Sequence, residues 1–148
     1  MLFVIALLSC QPSVPQTVAT KALAGDFGKL APWQEKGYRA LLKADPKPQV
    51  AWVTQYSQYE CSTRTASGRR VESGRTLAML DVPFGTYVLI DLPAGYTLRQ
   101  VWDRGSRANI RRARSRGAET WVDVYVSTRS RRILNRSFIR RVWVIGND

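Results

Sequence analysis

The chain has 148 residues, 45% of them hydrophobic, enough for one domain with a core and too apolar for general disorder. It has no histidine, two cysteines and no Gly-rich phosphate loop, which excludes His-based triads and His metal sites and leaves no metal or cofactor expected. The net charge is +12, and all fourteen basic residues of positions 75–148 are arginines, set against six acids. Such a surface is either simply solvated or drawn to a polyanion: cell-wall polymer, anionic membrane face or nucleic acid.

Residues 1–10, Met-Leu-Phe-Val-Ile-Ala-Leu-Leu-Ser-Cys, end as bacterial lipoprotein signals end: an apolar run, a small residue, then cysteine. The run is too short to span a bilayer. The expectation is export to the cell envelope, periplasmic or at the outer membrane, with lipid on Cys10 and the membrane as a partner through that anchor. No Lys or Arg precedes the run, which departs from the usual pattern. Residues 11–30, rich in Pro, Ser, Thr and Gln at their start, are expected to be a flexible tether. Residues 31–44 form the strongest helical pattern, with Pro32 at a first-turn position and Trp33, Gly37, Tyr38, Leu41 and Leu42 on one face. Asp45-Pro46-Lys47-Pro48 ends that helix and links it to the next segment.

From residue 49 onward the pattern is that of short strands and turns. Residues 50–59 alternate, with Trp52, Thr54 and Tyr56 sharing a face. Strands are also expected at 87–90, 96–102, 120–126 and 140–145, with a hairpin loop at 91–95. Ser127 is placed to cap a short helix reaching Asn135. Short strands with few helices argue for a closed β-barrel over 49–148.

Four phrases stand out within this region. They are Thr65-Ala66-Ser67-Gly68, Val82-Pro83-Phe84-Gly85-Thr86, Val101-Trp102-Asp103-Arg104-Gly105 and Trp121-Val122-Asp123-Val124-Tyr125. Strands disfavour aspartate, so Asp103 and Asp123 call for a reason.

In this order the phrases resemble the three-aspartate domain and rare lipoprotein A families. These are double-psi β-barrels that act on bacterial cell walls, a superfamily that includes membrane-bound lytic transglycosylase A. The resemblance implies a mainly β, six-stranded double-psi barrel with a preceding helix and one short helix near the C-terminus. It implies a peptidoglycan-cleaving enzyme, foremost a lytic transglycosylase with one Asp as general acid/base. The alternative is a non-catalytic, expansin-like wall-binding barrel. Peptidoglycan strands are the expected partner, a monomer the expected state, and nucleic acid is not expected. Asp123 takes the position of the acid, and Asp103 that of a nearby tuning carboxylate.

The expected substrate-binding set is Thr65 and Ser67 of the first turn, Arg104, Arg107 and Arg111, and Tyr56 and Trp102. The aromatics, with Tyr59 and Trp121, would stack on sugar or else fill the core. Each aspartate has a structural alternative: Asp103 as an acceptor for turn amides, Asp123 as the partner of a barrel arginine. Glu60 is a candidate second carboxylate, as in family-45 endoglucanases. The chain also departs from the families. Arg69 stands where rare lipoprotein A has glutamate, and Met79 where it has histidine. The earlier aspartate of the three-aspartate pattern falls near Ala78, with Asp81 the nearest acid. The stretch between Asp103 and Asp123 is long and holds Arg107, Arg111, Arg112, Arg114 and Arg116. It is either a grip for anionic glycan and peptide carboxylates over the groove entrance or a solvated loop.

Overall fold

The computed structural model describes residues 12–60, 62–127 and 137–146. Cys10, Cys61 and the expected helix behind Ser127 lie outside them, apart from Ser127 itself. Six strands close into a barrel: β1 Pro48–Tyr56, β2 Thr76–Ala78, β3 Tyr87–Leu92, β4 Gly95–Asp103, β5 Thr120–Tyr125 and β6 Phe138–Ile145. Around the barrel the order is β1-β5-β2-β4-β3-β6, with β6 returning to β1. β1 with β5 and β2 with β4 are parallel, and the other neighbours are antiparallel.

Alternation along each strand sorts side chains to the two faces. Ala51, Val53, Leu77, Val88, Ile90, Val101, Val122, Val124 and Val142 form the inner core. The helices cover two patches of the outer face. Helix α1, Val14–Leu23, and helix α2, Pro32–Ala44, bury Val18, Ala19, Ala22, Tyr38 and Leu41 against Tyr87, Leu89, Leu98, Trp143 and Ile145. Contact at α2 is close: a Cβ on Gly37 would lie 2.7 Å from both Leu98 Cδ2 and Tyr87 Cδ1. Helix α3, Arg107–Arg114, sits over Tyr56, Ala78, Trp121 and Tyr125 through Ala113 and Ile110.

The elements agree with the expected fold class, and the helix at 31–44 and the five expected strands appear within a few residues of their expected bounds. Two segments differ. Residues 11–30 were expected to be a tether, yet 14–23 are helical. Ser13 caps this helix, its hydroxyl accepting from the Gln16 amide, and Val18, Ala19 and Ala22 recur at helical spacing on the buried side. The Ser13 hydroxyl also donates to the Asp45 carboxylate, joining the start of α1 to the end of α2. The arginine-rich stretch, expected to be a loop, contains α3. Ser106 accepts from the Asn109 amide at its N-cap, and Ala113 is fully buried.

Candidate functional site

A groove of about 530 Å³ crosses the outer face of β1, β5, β2 and β4 beside α3. Its floor follows from the strand register. Thr54 pairs with Asp123, Asp123 with Ala78, and Ala78 with Asp103. These four residues form one row across four strands, so the two aspartates stand two strand spacings apart, roughly 10 Å between backbones. Ala78, the smallest side chain of the row, leaves open the space between them.

Parity explains how each side chain reaches this row. Val122 and Val124 fill the inner core, so Asp123 between them faces outward with Trp121 and Tyr125. Asp103 needs more. Val101 points inward, and plain alternation would send residue 103 inward too. A register shift between Leu77 and Ala78 pairs Ala78 with Asp103 instead of Trp102. Such an irregularity re-aims a side chain, here onto the groove.

The Asp123 carboxyl is half-buried. The Thr54 hydroxyl donates to its Oδ1 at 2.7 Å, and Trp121 Nε1 donates to the same Thr54 oxygen at 2.9 Å. The relay has one direction: with its oxygen accepting from Trp121, Thr54 turns its hydrogen to Asp123. That leaves Oδ2 as the oxygen to carry a proton. Burial pushes the Asp123 pKa up to about 7; the Thr54 hydrogen bond opposes this, while the charges of Glu60 and then Asp103 add to it. Among the described residues no Lys or Arg forms an ion pair with Asp123. Within those residues the arginine-partner alternative for Asp123 finds no arginine.

Asp103 is held differently. Its Oδ1 accepts from the amides of Ala66 and Arg104, each at 2.9 Å, and its Oδ2 accepts from the Tyr56 hydroxyl at 3.2 Å. Asp103 lines the groove and also pins the turn 65–68 to the end of β4, assisted by the Ser67 amide on the Trp102 carbonyl. The structural alternative for Asp103 thus holds alongside its place at the site. Gly105, two residues on, supplies space: a Cβ there would fall 1.7 Å from the Trp121 ring.

The expected substrate-binding set divides. Tyr56 and Arg104 line the groove. Arg104 places its guanidinium 3.8 Å from the Phe84 ring centroid and donates to the Met79 carbonyl. Trp102 does not line the groove. It is 2% exposed, beneath Arg75 at 4.2 Å and Arg69 at 5.0 Å from its ring, so it is a packing residue and not a sugar platform. Thr65 is buried and its hydroxyl bonds within its own turn, to the Arg69 carbonyl and Ser67. Arg107 and Arg111 lie on α3 away from the groove, beside a separate cleft.

Other residues of the groove carry little or no signal in the sequence. In the sequence Thr54 is one residue of an alternating face, and its contact with residue 123 spans 69 positions. Trp52 and Asn109 also line the groove. Arg116 covers Trp52 at 4.4 Å from the ring centroid. Glu60 lines the groove as well, with its carboxylate accepting from the Ser57 amide. Among the described residues no cluster of three His, Cys, Asp or Glu side chains could hold a metal ion.

No protein-family model matches this sequence. A comparison with curated proteins likewise finds no match.

Proposed function

We propose that this protein cleaves the glycan strands of peptidoglycan as a lytic transglycosylase, with Asp123 as its general acid and base. The observation that carries the reading is a carboxyl in an open groove, without an ion-pair partner among the described residues, whose pKa is raised to about 7, so that a proton is at hand near neutrality. Oδ2 of Asp123 gives its proton to the bridging oxygen as the C1–O bond breaks. The same oxygen then takes the proton of the sugar's own 6-hydroxyl as that oxygen bonds to C1. The product is a 1,6-anhydro end, no water is consumed, and the acid returns to its starting state. One carboxyl group is enough for this cycle. The two parallel strand pairs and the ordered turn phrases support placing the barrel among the double-psi families.

A second reading is a binding barrel without catalysis. The use of Asp103 to hold a turn favours it, because that carboxyl is occupied with amides and Tyr56. Incubation of the purified protein with peptidoglycan, with mass spectrometry of the soluble products, separates the readings. Anhydro ends support the transglycosylase, and reducing ends mean that water attacks and a second carboxylate is at work. Binding without any product means the non-catalytic barrel.

Export with lipid on Cys10 belongs to the same proposal. Cys10→Ala should abolish incorporation of labelled palmitate, and equal labelling of both forms would refute it.

A further inference from the structure

Helix α3 has two working sides. Asn109 faces the groove, while Arg107, Arg111 and Arg114 line a cleft of about 160 Å³ closed by Leu80, Asp81 and Ile110. The spacing i, i+4, i+7 puts the three guanidiniums on one stripe of the helix, within roughly 10 Å along its axis. Among the described residues, none of the three guanidiniums has a side-chain hydrogen bond or an ion pair, although Asp81 stands on the opposite rim. Between Asp103 and Glu119 the chain has no acidic residue.

We infer that this cleft is a phosphate-binding subsite, distinct from the groove. Three arginines and one aspartate leave a local charge of +2. A phosphate monoester, at about −1.5 to −2 near neutral pH, balances that charge, and a single carboxylate does not. The planar forks of arginine match phosphate oxygens two at a time, so three of them can serve a tetrahedral group with three free oxygens. Leu80 and Ile110 supply an apolar wall on one side of the site. The ligand class is a terminal phosphate, whether inorganic or carried by a sugar.

The test uses the whole protein at low ionic strength with three probes: inorganic phosphate, a sugar 6-phosphate and acetate. Binding is followed by NMR of the arginine Nε–H groups. Phosphate and sugar phosphate should saturate at concentrations at least about tenfold below acetate. Arg111→Gln should weaken phosphate about tenfold, while Arg112→Gln, which removes an equal charge off the stripe, should change it less than about twofold. A sugar phosphate that binds when inorganic phosphate does not would place the site's selectivity in the ester, still within the proposal. Equal response to acetate and phosphate, equal effects of the two variants, or no saturable binding by any probe would overturn it.

Discussion

Asp123 is the residue on which the site turns, and its burial has a cost that can be measured without any substrate. In the folded chain its pKa lies near 7 against an ordinary 3.8. Between these values the folded state holds a proton that the unfolded chain has released, so stability falls as pH rises and levels off above about 7. The full penalty is roughly 4 kcal/mol before solvent screening. Asp123→Asn removes it. Near pH 8 the variant should melt above the parent, and near pH 4 the two should converge. A constant difference at both pH values would mean the carboxyl is not desolvated. Its two polar neighbours act in opposite directions. Thr54→Val removes a hydrogen bond that lowers the pKa, so the Asp123 titration followed by carbon NMR should move to higher pH. Glu60→Gln removes a charge that raises it, so the titration should move to lower pH. Shifts in one common direction would break the account of the site. The sequence made Asp123 and Asp103 visible because aspartate is rare in strands. It did not show what surrounds them. The valines flanking Asp123 point to the other face of the sheet. The polar residues that adjust the effect of its burial, Thr54 and Glu60, come from another part of the chain.

At the scale of elements, what was legible followed periodicity. Helix α2 and five strands carry clear apolar patterns. Strand β2 has three residues, all buried, which is too short to show a period, yet Ala78 at its end joins the two aspartates. Helix α1 was hidden by composition: its Pro, Thr and Gln suggested a tether, while its buried side rests on small residues, Ala19 and Ala22. Helix α3 was hidden by charge, since five arginines in ten residues read as a loop until Ala113 and Ile110 are seen to anchor it. The register shift that turns Asp103 outward has no sequence signal apart from the strand's parity. Gly105 in the same phrase is a packing glycine. Gly105→Ala would drive a methyl into Trp121, so the ring or the end of β4 must move. The expected cost is about 1–3 kcal/mol in chemical denaturation, with loss of the Trp121–Thr54 hydrogen bond. A variant as stable as the parent would show that the ring moves without penalty.

For the whole molecule, closure of six strands gives an inner core with an outer face left free for other work. Two helices seal one part of that face, a third borders the groove, and the open remainder holds the row of Thr54, Asp123, Ala78 and Asp103. Closure was legible from strand count and turn phrases. Strand order was not, because the parallel pairs join segments far apart in sequence. The central claim is that Asp123 delivers the proton that breaks the glycan. Its most direct measurement is the rate of soluble glycan release from peptidoglycan by the parent and by Asp123→Asn, taken from about pH 5 to about pH 9. The parent should yield anhydro ends at a rate that falls as pH rises through about 7, where Asp123 loses its proton. The variant keeps the shape and should be slower by about 10²–10⁴-fold. A variant that releases glycan as fast as the parent, or a parent rate that climbs through that pH, would contradict the account.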